Sequence, residues 1–296
     1  MSDAGGLLLD ARHTDTSARR RAVERFVRHR AGLAGLVVLA LMSGIAIAAP
    51  AIAPHDPNLT AVALRNMPPS TQFLLGTDSV GRDVLSRMMF AGQVSLAVGV
   101  AAAGVATSIG LVLGLIAGTF GGIVDALIMR LTDVVLALPS LIAIAVVAGL
   151  VGGGMWIVVL VLGLFGWTEA ARVVRASVLS LREEEFVLAA RALGASDSWV
   201  IRKHLVFHAL APLTVTGTFT VARALLTEAG LSFLGIGVQP PQASWGNMLS
   251  DAQSLSVLTQ MPWLWVPPGV AIFVTVVAVN LVGDGLRDAL DPHEAT

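Results

Sequence analysis

The chain contains no cysteine. Disulfides, thiol catalysis and cysteine-based metal sites are therefore excluded. Lysine occurs once, at Lys203, between Arg202 and His204. The phosphate-cradling loop of nucleotide hydrolases needs a lysine followed by Ser or Thr after a glycine-rich turn, so this chain has no such loop. Any dependence on ATP must come from a partner. Charge of either sign is scarce: 13% of residues are charged and 55% hydrophobic, against about 25% and roughly 45–50% in soluble domains. Net charge is −1, which offers no basis for nucleic-acid binding. Enzyme signatures are missing as well, with no HExxH, no GxSxG and no paired carboxylates at helical spacing within an apolar tract. His204 and His208 are four apart and could share a helix face as metal ligands. No third ligand accompanies them, so a loop helix beside anionic headgroups is the favoured reading over a metal site.

What the chain does have is long apolar tracts. Mean hydropathy is +0.78. The stretches 31–55, 88–124, 134–168, 229–250 and 252–283 carry no Asp, Glu, Lys or Arg. A spanning helix needs about 20 largely apolar residues, so the chain reads as a polytopic all-α membrane protein. Six spans fit, near 31–53, 93–117, 122–149, 153–173, 211–234 and 262–283. The run Gly152-Gly153-Gly154 divides a tract too long for one helix, and Gly121-Gly122 supplies a similarly tight turn. Six arginines within "RRRAVERFVRHR" (19–30) precede the first span, which places the N-terminus in the cytoplasm by the positive-inside rule. The even loops then also face the cytoplasm, including the one carrying Arg172, Arg175, Arg182, Arg191, Arg202 and Lys203. A cleaved signal peptide is the competing reading of the first span, but its uncharged stretch is longer than the 7–15 residues usual for a signal core. The resulting organisation is a basic tail over 1–30, a first span over 31–53 and an extracytoplasmic loop over 54–92. A core of five spans over 93–290 follows, with a cytoplasmic loop at 182–210 and a C-terminal tail at 291–296.

Several stretches carry polar signals inside this frame. "REEEFVLAARALGAS" (182–196) reads as a short cytoplasmic helix with acids in its first turn, where they suit the helix dipole. Gly194 sits at a C-cap position, and Ser196 or Asp197 is placed to cap a second helix. Ala189, Ala190 and Gly194 leave a shallow surface that another protein can approach. By patterning alone this is either a solvated linker or a docking site. Gly76 and Gly81 bracket "TDSV", with Asp78, Arg82 and Asp83 nearby, forming either a structural turn or a contact for a binding protein. Gly110, Gly114, Gly118 and Gly122 repeat every four residues and give one smooth packing face. In the fifth span, Thr216, Thr220, Arg223 and Thr227 share a helical face and Glu228 adjoins it, as interface, gate or pathway. Arg130 and Asp133 are spaced to pair, Pro139 is placed to kink the third span, and Trp245, Trp263 and Trp265 suit a membrane interface.

The 182–196 segment resembles the EAA loop of bacterial ABC-importer permeases, in which a Glu, an Ala pair and a Gly recur at this spacing. Ala189, Ala190 and Gly194 match that motif. Leu188 stands where the family has Glu, while Glu185 matches the acidic position of the peptide-transporter branch. Phe207, in "KHLVFHALAP", stands where relatives usually carry proline. "LLGTDSVGRDVLSRMMFAGQVSLAVG" (74–99) and "TEAGLSFLGIGVQPPQASWGNML" (227–249) resemble signatures of permeases for dipeptides, oligopeptides and nickel. The resemblance covers roughly residues 20–293 and is closest to the C-type subunit.

The resemblance implies an ATP-driven importer subunit that is not itself an enzyme. Its fold would be that of a type I importer permease, with a cytoplasmic coupling helix, in a bacterial inner membrane and with both termini cytoplasmic. The implied partners are a second, B-type permease, two ATP-binding subunits, an extracytoplasmic substrate-binding protein, a peptide substrate and membrane lipid, with no nucleic acid. This chain would bind no cofactor, ATP and Mg being held by the ATP-binding subunits. Glu185, Ala189, Ala190 and Gly194 would form the coupling loop. Gly76, Thr77, Asp78, Gly81, Arg82 and Asp83 would form the extracytoplasmic signature. Thr220, Arg223, Thr227 and Glu228 are the pathway or gate candidates, and no metal site is expected. Nickel or another small solute is the alternative cargo. From a different class, a stand-alone carrier or channel would use Arg130, Asp133, Arg223 and Glu228 as a charge relay.

Overall fold

A computed structural model describes residues 23–290. Residues 1–22 of the expected N-terminal tail, with Arg19, Arg20 and Arg21, and the expected C-terminal tail 291–296 lie outside the described residues. Lipid offers backbone groups no hydrogen bonds, so an apolar tract must pair its N–H and C=O groups internally and becomes a helix. Helix α1 spans Arg30–Ile52, α2 Val84–Phe120, α3 Gly122–Ala137, α4 Ser140–Val151 and α5 Met155–Leu181. Helices α6 (Glu185–Ala192) and α7 (Asp197–Val200) follow, and a π turn at Ile201–Leu205 leads directly into α8 (Val206–Phe233). Helices α9 (Trp245–Met248) and α10 (Leu255–Gln260) precede α11 (Pro262–Leu290). The described residues contain no β-strand, only an isolated bridge between Thr77 and Asp83.

Helices α1, α2, α5, α8 and α11 are each long and apolar enough to cross a membrane, and α3 with α4 makes a sixth crossing only as a pair bent by 89°. Proline lacks an N–H and pushes the preceding residue out of the helical region. Leu138 accordingly has φ −81 and ψ 135. Pro139 therefore ends one helix and lets another restart, a sharper outcome than the kink expected of a continuous 122–149 span. Alternation of the helices puts 54–83, 152–154 and 234–261 at one end of the bundle and 182–205 at the other.

Helices α2 and α5 pack against each other along most of their lengths, and α1, α8 and α11 close around them. Lipid chains are as apolar as leucine, so close backbone approach between small residues drives this pairing. A Cβ on Gly110 would lie 2.8 Å from the Trp167 carbonyl oxygen, and one on Gly114 would lie 2.6 Å from that of Ala171. At Gly118 it would meet Val178 Cβ at 2.7 Å. Gly122, the fourth member of the repeat, leaves the seam: it has φ +52, and a Cβ there would meet nothing within 4 Å. A second close crossing joins α1 to α11, where a Cβ on Gly32 would sit 3.2 Å from Gly285 Cα.

Gly114→Leu should cost about 3 kcal/mol by forcing α2 off α5. Gly104, on the same helix with open space around it, should accept Ala without loss. Thermal melting of the purified chain in detergent checks both, and equal melting of the two variants would refute the glycine seam.

Candidate functional site

The 76–83 signature folds into a self-contained knot. Thr77 is buried, and its hydroxyl donates to the Leu64 carbonyl and accepts from the Met67 N–H at 2.9 Å. Asp78 Oδ1 accepts the N–H groups of Val80 and Arg82, each at 2.9 Å, while its Oδ2 accepts from Arg82 Nε at 2.6 Å. Arg87 Nε stands 3.5 Å from that same oxygen, and its Nη1 reaches the Pro57 carbonyl at 3.1 Å. Asp83 caps α2 by accepting from Ser86 N–H at 2.9 Å and Ser86 Oγ at 2.6 Å. Gly81 holds φ +82, and a Cβ there would lie 1.9 Å from the Ala61 carbonyl oxygen. At Gly76, with φ +70, the Met67 carbonyl oxygen would be 2.5 Å away. Only glycine fits either position. The Asp78 and Arg82 charges thus satisfy each other, and the knot fastens 54–83 to the start of α2. Asp251 approaches it through Ser79 Oγ at 3.5 Å. Burial first, then the Asp78 charge, push its carboxyl above the usual carboxylate range, against the opposing pull of Arg82, Ser79 and Arg87.

At membrane level the fifth-span residues separate into two groups. The hydroxyls of Thr216, Thr220 and Thr227 each donate to the carbonyl four residues earlier on α8. Arg223 Nη1 meets Glu169 Oε2 of α5 at 2.6 Å, with side chains 61% and 49% exposed. Thr220, Arg223 and Thr227 border a cavity of about 150 Å³ together with Ser140 and Thr168, between α5, α8 and the α3–α4 break. Glu228 does not join them. Successive residues are about 100° apart around a helix, which turns Glu228 inward, where it is buried. It accepts from Ser232 Oγ at 2.7 Å and Ser95 Oγ at 3.3 Å. Those hydroxyls accept in turn from the N–H groups of Val238 at 3.0 Å and Trp245 at 3.1 Å. Glu228 is therefore a hub tying α8, α2 and the 234–248 segment together. Trp245 is buried with this hub and donates from Nε1 to the Met88 carbonyl at 3.2 Å, so it belongs to the core and not to an interfacial belt.

The expected Arg130–Asp133 pair is replaced by one between helices: Asp133 accepts from Arg172 of α5 at 2.6 Å. One turn further along α5, Arg175 grips Asp125 through both Nε and Nη2. Glu169, Arg172 and Arg175 thus form a stripe at three-residue spacing that holds α8 on one side and α3 on the other. An unpaired charge in a span costs about 2.5–3.5 kcal/mol near the bilayer centre on insertion scales, which favours such pairing. Glu169, Asp125 and Ser95 were not among the sequence candidates. The three-residue spacing on α5, in a chain so short of charge, is the signal for the stripe.

The 182–205 connection has one anchored face and one open face. Val187, Val200 and Leu205 are buried in a cluster with Leu115, Val174, Val178 and Leu213. Glu185 begins α6 and is exposed. Gly194, two residues past the end of α6, takes φ +89. The Ala195 N–H bonds back to the Ala190 carbonyl at 3.0 Å, the long-range bond of a Schellman close. Ser196 stands at the N-cap of α7, but its side chain makes no cap bond and its hydroxyl meets that of Ser198 at 3.2 Å. Phe186, Ala189, Ala190, Leu193, Gly194 and Trp199 line an open groove of about 710 Å³. Leu193 is 90% exposed, and Leu188 and Phe207 are exposed too. Apolar surface left uncovered in this way makes the segment a candidate interaction site. With Phe207 in place of proline, backbone hydrogen bonding continues through the π turn into α8.

Two family models match the chain. The model described as "Binding-protein-dependent transport system inner membrane component" covers residues 110–295. The model described as "N-terminal TM domain of oligopeptide transport permease C" covers 17–69. A Brucella suis protein whose name carries an inferred peptide-permease role is 43% identical over 278 residues, covering 94% of this chain and 92% of that protein. The oligopeptide transport system permease protein OppC of Bacillus subtilis is 40% identical over 271 residues, covering 92% and 88% respectively.

Glu228→Ala strands two buried hydroxyl donors and should destabilise the chain by about 2–4 kcal/mol. Thr227→Ala removes a hydroxyl that only returns to its own helix and should stay within about 0.5 kcal/mol of wild type. Melting curves in detergent check this contrast; a Glu228→Ala curve that overlays wild type would dissolve the hub.

Proposed function

The chain belongs to the family of inner membrane components of binding-protein-dependent transport systems, and on that premise we propose that it forms, with a second permease of the B type, the translocation path of an ATP-driven peptide importer. The single observation that supports this most directly is the open groove on 185–199, held to the bundle by Val187, Val200 and Leu205 while its small residues face outward. A nucleotide-binding subunit fits such a surface, because Ala189, Ala190 and Gly194 allow close backbone approach and Glu185 offers a charge at its rim. In this reading ATP and Mg belong to two ATP-binding subunits, and this chain does no chemistry of its own. Both termini and the groove face the cytoplasm, in accord with the arginines at 19–30 and with Arg182, Arg191, Arg202 and Lys203 in the connection after α5. The knot at 76–83 then faces outward, towards an extracytoplasmic binding protein that delivers the peptide.

The mechanism is alternating access. Closure of the ATP-binding subunits moves the α6–α7 connection, and α8 carries that displacement to the cavity at Thr220, Arg223 and Thr227. ATP shifts the equilibrium only if contacts at the groove differ between inward- and outward-open states. A stand-alone carrier using Arg130, Asp133, Arg223 and Glu228 as a relay has little support, since Asp133, Arg223 and Glu228 are committed to three separate sets of partners.

Ala189→Trp, which fills the groove from a helical position, and Glu185→Arg should each lower binding-protein-stimulated ATP hydrolysis and peptide uptake by at least about tenfold (roughly 1.4 kcal/mol of coupling). Assembly into the membrane should persist. Reconstitution of the complex in proteoliposomes measures all three quantities. Normal hydrolysis and uptake in both variants would reduce the connection to a linker.

A further inference from the structure

We propose that the Glu169–Arg223 pair reads the two charged ends of the transported peptide, Arg223 taking the terminal carboxylate and Glu169 the terminal ammonium; this rests on the peptide-importer reading above. Of the three ion pairs that α5 makes to its neighbours among the described residues, this one borders the mainly apolar cavity that Ser140, Thr168, Thr220 and Thr227 also line, through Arg223. Arg223 lies near the middle of α8, yet its side chain is 61% exposed and that of Glu169 49%. The Arg175–Asp125 pair is more covered, at 31% and 17%. A pair this open within a spanning segment faces water or another protein, since lipid would not tolerate it.

The chemistry of exchange selects the ligand. Separating Glu169 from Arg223 bares one charge of each sign within a spanning segment. A zwitterion supplies both replacements at once, a carboxylate for the guanidinium and an ammonium for the carboxylate. A peptide with one blocked end leaves one charge of the pair unanswered within a spanning segment, which is unfavourable. Discrimination therefore comes from the unpaired group left behind by the wrong ligand. The cavity adds to this arrangement. Thr220 and Thr227 spend their protons on α8 carbonyls, leaving their oxygens as acceptors for peptide N–H groups. Ser140 begins α4 at the cavity wall, and α4 carries no side-chain cap. A broken membrane helix whose N-terminus adjoins an anionic group is favourable for that group. That adds support on the carboxylate side, next to Arg223.

The test uses the complete complex in proteoliposomes, with a peptide offered free, N-acetylated and C-amidated. Uptake is normalised to the measured occupancy of the binding protein by each form. Wild type should take up the free peptide at least about tenfold faster than either blocked form. Glu169→Gln should abolish the discrimination against acetylation alone, and Arg223→Gln that against amidation alone. The double variant E169Q/R223Q, which leaves no unpaired charge, should melt like wild type yet treat all three peptides within about twofold. If the free-to-blocked ratios are the same in wild type and double variant, or if wild type shows no discrimination, the pair is structural and the inference falls while the importer reading stands. If wild type accumulates no peptide of any form, the peptide reading itself has failed.

Discussion

The close approach of α2 and α5 is the contact from which the rest of the bundle is hung. It exists because three glycines spaced by four let one backbone rest against another, in a medium where burial of apolar side chains gives no advantage. With that seam occupying one side of α5, another side is free to carry Glu169, Arg172 and Arg175. These charges reach α8 and α3 across space. The C-terminal end of the same helix then delivers the chain into the α6–α7 connection, so the position of the groove depends on the same seam.

The two ends of the bundle obey opposite rules. At 54–83 the principal charges and the buried Thr77 are answered within the chain, Asp78 by Arg82, Asp83 Oδ2 by Ser86 and Thr77 by two backbone groups, while Asn66 Oδ1 and Asp83 Oδ1 are buried without a hydrogen bond. At 185–199 apolar side chains such as Leu193 stay in the open. An end that satisfies itself is built to keep its shape. An end that leaves apolar surface uncovered still has surface to bury.

Much of this was legible in the sequence, and the remainder was not for an identifiable reason. Runs without charge located the helices, Pro139 marked the break, and Gly194 marked the close of α6, because each acts on its immediate backbone. Periodicity also placed Thr220, Arg223 and Thr227 on one face. It could not say what that face meets. Arg130 and Asp133 had suitable spacing, yet Asp133 pairs with a residue 39 positions away. Glu228 looked like a neighbour of Thr227 and serves a different side of the helix, and Ser95, its partner, is 133 residues distant. Trp245 looked interfacial from its flanks, while its burial follows from packing beside Met88 on α2. Local signals are read from local sequence; partners across helices are set by a register that a single chain of letters does not record.

The π turn at Ile201–Leu205 has a mechanical consequence. Helical backbone runs from Asp197 through that turn to Phe233, with one hydrogen bond missing at Pro212, so the region is one strut of about 55 Å at 1.5 Å rise per residue. One end of the strut forms a wall of the groove, its middle bears Arg223, and its far end is bolted by Glu228. Because residue 207 does not break the helix, the groove wall and Arg223 lie on one run of backbone, and Pro212 is the position between them at which that run can flex.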